Sequence, residues 1–182
     1  MTRWADRLET GRLVLRGRRP EDATLLRQLW GERDPRVPAR RRLDADGLPT
    51  VEELAGQIRA EASYDGPVVL TVEERSSGRA IGYCGLFAVE GRSVDEPELA
   101  FELLAEVQGR GYATEAARAV VEHARAAGTV RLWADVWAWN RPSLRVLDKL
   151  GFEESSRTSV EGRGANLTLV LDLAEPQVGS DD

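Results

Sequence analysis

The feature of the sequence that most constrains its fold is a change of hydrophobic period around two glycines near midchain. Residues 98–104, ELAFELL, are predicted to form a strand, and the apolar positions from Ala113 to Ala124 then recur at spacings of three and four, as a helix that buries one face requires. Residues 130–138, VRLWADVWA, alternate again as a strand does. A helix between two such strands predicts a parallel, right-handed crossover over residues 98–137.

The remaining segments supply further strands and helices, in the overall order β-α-α-β-β-β-α-β-α-β-β. A capping box of Thr50 and Glu53 marks the start of one helix, and Pro142 and Gly151 bound another. The order indicates one α/β or α+β domain over residues 1–173, and residues 174–182 are predicted to form a disordered tail. The other predicted strands are 12–18, 68–74, 79–90, 152–159 and 166–173, and the other predicted helices are 20–30, 50–62 and 142–150.

Composition narrows the classes of function. A chain of 182 residues with 42% hydrophobic content can bury one substantial core, and a net charge of −6 argues against a general nucleic-acid binder, which needs a basic face. The single cysteine, Cys84, excludes an internal disulfide, and with the single histidine, His123, it offers no zinc site. We therefore expect no metal and a reducing cytoplasm. The sequence contains no long apolar run, so we expect neither a membrane span nor a signal peptide.

The glycine turn, QGRGYATEA at 108–116, is suited to an anion. The first N–H groups of a helix have no partner within it and lie at its positive end, and Gly109 and Gly111 allow successive amides to form a concave nest. The alternative is a tight turn with no ligand. A P-loop would need a Gly-Lys-Ser/Thr ending, and a dinucleotide fingerprint would need a glycine-like residue where Thr114 stands. Gln108, Gly111 and Ala113 instead fill the pattern Gln/Arg-x-x-Gly-x-Gly/Ala.

With these residues the chain resembles the GNAT superfamily of acyl-CoA-dependent N-acyltransferases, and within it the RimJ/RimL-like ribosomal-protein acetyltransferase group. Three motifs stand in the family order: TGRLVLR at 10–16, ELAFELLAEVQGRGYATEA at 98–116 and NRPSLRVLDKLGF at 140–152. The resemblance implies a central mixed, mostly antiparallel twisted sheet of about seven strands, flanked by about four helices, with a parallel pair splayed to hold CoA. It also implies acetyl-CoA as cosubstrate and an amine acceptor. Dimers are common among such relatives, so a homodimer is compatible with the sequence.

The resemblance assigns residues to the cofactor. The amides of the glycine turn would bind the CoA pyrophosphate, and the backbone of the preceding strand would bind the pantetheine arm, helped by a bulge near Leu104. Asn140 and Ser143 match the family's Asn-x-x-Ser, with the asparagine at the pantetheine and the serine near the thiol; alternatively, Asn140 caps a helix. The full set is Leu103, Leu104, Gln108, Gly109, Arg110, Gly111, Tyr112, Ala113, Thr114, Asn140 and Ser143.

Transfer from a thioester to an amine needs a group that removes the amine's proton. The candidates are Glu98 and Glu102 on one face of a strand, Asp135 on the next strand, or an ordered water. Glu98 aligns with a glutamate common in the RimJ/RimL-like group, and Asp135 occupies the place of a glutamate base in related N-terminal acetyltransferases. Asp135 also lies between Trp133 and Trp137, where partial desolvation would raise its pKa.

Other steps have weaker signals. A backbone N–H near Leu103 would donate a hydrogen bond to the oxyanion that forms when the amine adds to the thioester. Many family members carry a tyrosine as general acid where this chain has Leu147, which leaves Ser143 as the catalytic donor or a thiolate that departs unprotonated.

The acceptor is expected to enter over residues 34–49 and 87–96. The arginines of the first segment, Arg36 and Arg40 to Arg42, suit an acidic substrate, the CoA 3′-phosphate or a solvated loop. Trp30, Trp133, Trp137 and Trp139 would line an acceptor pocket or belong to the core. Two rival functions stay open: a catalytically silent acyl-CoA-binding or regulatory protein of the same fold, and a nucleotide-binding regulator that uses the same turn.

Overall fold

The computed structural model describes residues 4–47, 49–61 and 66–174. Within them, eight strands form one sheet in the order β1-β2-β3-β4-β5-β6-β8-β7, and all neighbours are antiparallel except β5 and β6. The tail predicted to be disordered lies almost wholly outside the described residues. The strands are β1 (Arg7–Glu9), β2 (Leu13–Gly17), β3 (Val69–Glu74), β4 (Arg79–Phe87), β5 (Glu98–Leu103), β6 (Arg131–Trp137), β7 (Glu153–Val160) and β8 (Gly164–Asp172).

In the part of the chain that the structure describes, four α-helices flank the sheet: α1 (Ala23–Glu32), α2 (Val51–Glu61), α3 (Tyr112–Ala126) and α4 (Arg141–Leu150). The capping box is confirmed, since the Thr50 N–H donates to Glu53 Oε2 at 2.7 Å and the Glu53 N–H donates to Thr50 Oγ1 at 3.2 Å. The fold class predicted from the sequence is confirmed, including the parallel β5-α3-β6 crossover. No helix among the described residues is long and apolar enough to cross a bilayer.

The two faces of the sheet carry different helices. On one face, Leu70 and Leu86 line a small cavity with Val120 of α3, and α4 packs beside that helix. On the other face, Thr71 donates to Asp22, just before α1, at 2.7 Å. Cross-strand pairs share a face, so the second surface, here named the α1 face, contains Thr71, Tyr83, Glu98 and Glu102.

A buried charge cluster fixes the start of α1 to the α1 face. Asp22 accepts two hydrogen bonds from the Arg16 guanidinium, at 2.7 and 2.9 Å, and one from the Arg19 N–H at 2.8 Å. The side chains of Arg16 and Asp22 are buried, at 9% and 6% exposure. Burial opposes ionisation of Asp22, but these donors outweigh it and leave the pKa of Asp22 below its usual value. The cluster is therefore ionised and holds α1 in place.

The β4 and β5 backbones approach closely at Gly82, which pairs with Leu103. A Cβ atom at Gly82 would lie 2.2 Å from the Glu102 carbonyl oxygen and 2.8 Å from the Leu103 Cα. We expect Gly82→Ala to destabilise the protein by about 1–3 kcal/mol, because backbone atoms must move apart. Denaturant unfolding measures the change. Gly56→Ala, in α2 with open space around the added methyl, should leave stability equal or slightly higher. Equal stability of the two variants would contradict the close approach.

Candidate functional site

The parallel strands β5 and β6 separate soon after they meet. They share one register pair, Glu98 with Trp133, beside a hydrogen bond of 3.0 Å from the Trp133 N–H to the Pro97 carbonyl. The Leu104 N–H, in contrast, still donates to the Ile81 carbonyl at 2.9 Å, on the β4 side. Because alternate residues of an antiparallel ladder bond to the same neighbour, Phe101 and Leu103 direct their backbone N–H and C=O groups toward β6. The splayed parallel pair is thus present.

The bulge expected near Leu104 is wrong. Pairing of β4 with β5 runs from Glu98 to Leu103 without a register shift. Leu104 is 1% exposed and adopts φ −50° and ψ 140°, after which a 3₁₀ turn over Ala105–Val107 begins. The gap opens because β6 diverges while β5 stays bonded to β4, so no extra residue is needed.

The glycine turn leads directly from this strand end into α3. Gly109 and Gly111 have φ of +76° and +81°, a left-handed conformation that other residues rarely adopt. Gly111 is the N-cap residue, no side chain caps the helix, and the first backbone bond runs from the Glu115 N–H to the Gly111 carbonyl at 3.0 Å. The preceding amides lie at the positive end of a 15-residue helix. This donor set suits a diphosphate.

The side chains of the turn are arranged in different ways. Gln108 Nε2 donates to the Leu103 carbonyl at 2.9 Å, which ties the turn to the end of β5. Tyr112 is 8% exposed and packs in the core, whereas Ala113 and Thr114 are half-buried and Arg110 is exposed. The side chains of the turn therefore differ in burial and in contacts, and the groups that they have in common as donors to an anion are the backbone N–H groups.

Arg12, which no sequence pattern singled out as a site residue, braces the turn. Its Nη1 donates to the Arg110 carbonyl at 3.0 Å and its Nε to Glu115 Oε2 at 2.6 Å, and its Cζ lies 4.6 Å from the Tyr112 ring centroid. The Arg12 charge compensates the Glu115 carboxylate, which would otherwise repel an anion at the helix N-terminus. The signal in the sequence was the position of Arg12 within the 10–16 motif.

The start of α4 is capped by Asn140. Its Oδ1 accepts from the Ser143 N–H at 3.3 Å, as the capping alternative expected, and the side-chain NH₂ takes no part in this cap. Ser143 is half-buried in the first turn. Leu147 is 2% exposed and packs in the core. The position that carries a tyrosine in many relatives therefore has an apolar side chain turned inward.

Glu102 is held in an ion pair on the α1 face. Arg33 Nε donates to Glu102 Oε1 at 2.8 Å, and the Tyr83 hydroxyl donates to Oε2 at 2.9 Å. Burial and the charge of Glu102 raise the pKa of Tyr83, so this hydroxyl keeps its proton. Both carboxylate oxygens of Glu102 are therefore engaged by Arg33 and Tyr83.

Glu98 lies on the same strand face and has no such partner. Burial, and then the negative charge of Asp135, raise the pKa of the Glu98 carboxyl to about 7, against the opposing effects of the Asp135 backbone N–H and the Arg92 and Arg41 charges. A carboxyl with this pKa exchanges protons near neutral pH. Glu98 also stands where β5 and β6 begin to separate.

The desolvation expected for Asp135 is wrong. The Asp135 side chain is exposed and accepts from Thr168 Oγ1 at 2.7 Å. Trp133 and Trp137 flank it along β6 but do not cover it, because side chains two residues apart on a strand project side by side. Its negative charge acts instead on Glu98.

Three of the four candidate tryptophans lie along β6 and the turn after it. Trp137 and Trp139 stack with ring centroids 6.2 Å apart and an angle of 8°, and the Arg36 guanidinium lies 4.1 Å from the Trp139 centroid. The segment after α1 therefore reaches across to the start of α4. Trp30 instead lines a separate groove of 660 Å³ with Arg40 and Arg42.

The raised pKa of Glu98 predicts a pH-dependent stability difference. The native state holds a proton that the unfolded chain, with a pKa of 4.5, releases. This contribution to stability is complete below about pH 4.5 and is lost as the pH rises through about 7. We expect Glu98→Gln to match the wild type at about pH 5 and to exceed it by on the order of 2 kcal/mol at about pH 8, measured by urea unfolding. Glu122→Gln, exposed on α3, should show no such trend; an equal trend in both variants would refute a raised Glu98 pKa.

Comparisons with known proteins agree with this geometry. A family model described as an acetyltransferase (GNAT) domain matches residues 12–153. A solved structure from Bordetella pertussis, described as a GNAT-family acetyltransferase, is 27% identical with a TM-score of 0.69, over 91% of this chain and 99% of that one.

Two further structures are similar in fold. RimJ from Mycobacterium smegmatis, in complex with CoA-disulfide, is 21% identical with a TM-score of 0.65, over 88% of this chain and 81% of its own. A mutant spermidine N-acetyltransferase from Vibrio cholerae is 16% identical with a TM-score of 0.71, over 90% of this chain and 95% of its own. No curated protein matches the chain significantly.

Proposed function

Because the chain belongs to the GNAT acetyltransferase family, whose fold supports acyl-CoA-dependent N-acetyltransfer, we propose that it transfers an acetyl group from acetyl-CoA to a primary amine within a ternary complex. Two features of the region where β5 and β6 separate carry the proposal together. One is the start of α3, with its free backbone N–H groups, and the other is the Glu98 carboxyl, with a pKa of about 7. The first suits a diphosphate and the second suits an amine that must lose a proton.

The residues that hold acetyl-CoA are proposed from the backbone groups described above. The amides from Gly109 to Thr114 bind the diphosphate. The Phe101 N–H and C=O and the Leu103 N–H, which point toward β6, bind the pantetheine arm, whereas the Leu103 carbonyl accepts from Gln108 Nε2. The Asn140 side-chain NH₂ adds a donor at the start of α4. The structural neighbour solved with CoA-disulfide supports this fold as a CoA-binding fold.

Glu98 is the proposed general base. Its carboxylate accepts the proton of the amine as the amine nitrogen forms a bond to the thioester carbon, and the carbon–sulfur bond then breaks. The proposed donor to the oxygen that becomes negative in between is a backbone N–H beside Glu98 rather than that of Leu103, because Leu103 lies at the other end of β5, about 16 Å from Glu98. Asp135 supports the base through its charge, and Glu102 is proposed to hold Arg33 and the segment after α1 rather than to move a proton.

The position where the resemblance places a tyrosine general acid is occupied by Leu147, which is buried. Ser143 is the proposed donor, and a thiol pKa of about 8.5 also allows the thiolate to leave unprotonated. The same observation favours the second candidate, a catalytically silent acyl-CoA-binding or regulatory protein. We assign the chain to the RimJ/RimL-like group on its three motifs, and neighbours named for ribosomal-protein and spermidine acetylation illustrate the range of acceptors on this fold.

Release of free thiol from acetyl-CoA tests the proposal. With a panel of peptides, free amino acids, polyamines and aminoglycosides, we expect turnover with at least one amine, and kcat/KM that rises with pH through a midpoint of about 7. Glu98→Gln should lower kcat by about 10²–10⁴-fold and remove that midpoint, because the base is gone, while acetyl-CoA affinity stays within about twofold. Binding of acetyl-CoA without turnover for any amine would favour the silent protein.

A second test concerns the brace at the glycine turn. Arg12→Gln removes the bond to the Arg110 carbonyl and leaves the Glu115 charge uncompensated, so KM for acetyl-CoA should rise by about tenfold with kcat nearly unchanged. Arg12→Lys should restore part of the affinity. The control is Arg157→Gln, which breaks an exposed ion pair with Glu154 on β7. A fall in kcat alone, or equal effects of Arg12→Gln and the control, would contradict the role of Arg12.

A further inference from the structure

Arg92 has a buried donor without a partner. It lies in the loop between β4 and β5, and its Nη1 is one of two buried side-chain nitrogens in the described part of the chain that have no hydrogen-bond partner. Its guanidinium stacks on Trp133, with the Cζ atom 4.3 Å from the ring centroid. Buried polar groups are normally paired, and an unpaired one on a charged group is costly. The stacked ring fixes this donor beside β6.

No ion pair among the described residues includes Arg92, although its charge acts on the carboxyl of Glu98. Arg131 provides the contrast, because its Cζ lies 5.6 Å from the same ring but its Nε donates to Asp172 at 2.5 Å. Of these two cations at Trp133, Arg92 is therefore the one with a donor that has no partner, and it lies near Glu98.

We propose that Arg92 binds a carboxylate of the acceptor, so that the preferred acceptor is a free amino acid. This inference rests on the proposed function, because it places the reacting amine at Glu98. The ammonium group enters beside the negative charges of Glu98 and Asp135, and the carboxylate pairs with the guanidinium on Trp133. A polyamine would instead bring a second ammonium group against the Arg92 charge.

A carboxylate can reach Arg92 Nη1 only if the loop that carries it moves. The guanidinium nitrogen is enclosed, but the loop that carries it, residues 88–96, is mostly exposed, with half-buried positions only at Val89, Arg92 and Glu96. A carboxylate that entered from the β6 side would replace the missing partner of Nη1. Arg92 is thus a specificity-determining residue for the amine rather than a participant in proton transfer.

Calorimetry on the full chain, saturated with CoA so that no transfer occurs, tests the inference. The probes are the free L-amino acids, each against its own carboxamide, together with spermidine. We expect at least one amino acid to bind about tenfold or more tightly than its amide and than spermidine. Arg92→Gln should weaken that amino acid by about ten- to a hundredfold and leave the amide unchanged, since a hydrogen bond between charged groups is lost.

Two further variants keep the test decisive. Arg131→Gln, at the same ring, should keep the preference for the carboxylate. If Arg92→Gln does not fold, Arg92→Lys takes its place and should keep only part of the preference. No preference for any amino acid over its amide, or a preference that is undiminished in Arg92→Gln or in Arg92→Lys, overturns the inference. Thiol release separates the two proposals: carboxylate binding without turnover refutes only the proposed function, whereas turnover that ignores the carboxylate refutes only the role of Arg92.

Discussion

The separation of β5 from β6 is the constraint on which the rest of the site depends. Each strand has a complete partner on its other side: β5 bonds to β4 from Glu98 to Leu103, and β6 bonds to β8 from Arg131 to Trp137. The two strands can therefore diverge without weakening either ladder. The backbone groups of Phe101 and Leu103 point toward β6 because their neighbours bond to β4. In a fully paired parallel sheet β6 would bond to these groups, and the divergence leaves them without that strand partner.

Two carboxyls on one strand face differ in chemistry because their neighbours differ. Glu102 has a guanidinium and a phenol as donors, whereas Glu98 has burial and a second negative charge. The first arrangement occupies the carboxylate oxygens of Glu102, and the second raises the pKa of Glu98. The positive end of α3 lies at the other end of β5, so one strand connects the region suited to a diphosphate with the carboxyl suited to an amine.

Sequence patterns predicted the elements that have a clear period or a cap. The β5-α3-β6 crossover, the capping box at Thr50 and the left-handed glycines at 109 and 111 follow from local rules and are all present. Strand β1 was not predicted, because three residues are too few to show alternation. The expected bulge was inferred from a ligand's needs, and the divergence of β6 makes it unnecessary.

The side-chain environment was harder to predict, because it depends on contacts between distant residues. Nothing in the sequence shows that Arg33 reaches Glu102 rather than Glu98, or that Arg12 reaches the Arg110 carbonyl. The two tryptophans around Asp135 led to an expectation of desolvation there. Desolvation depends instead on which segments pack over the sheet, and the desolvated carboxyl is that of Glu98. Spacing along a strand therefore identified the candidate carboxyls but not their order of importance.

A crystal structure of the chain with acetyl-CoA tests the central claim most directly. The account predicts diphosphate oxygens within about 3 Å of amide nitrogens between Gly109 and Thr114, with the pantetheine arm running between β5 and β6 toward Glu98. A carrier bound in the groove beside Trp30, or a diphosphate held by side chains with the glycine-turn amides unused, would contradict it.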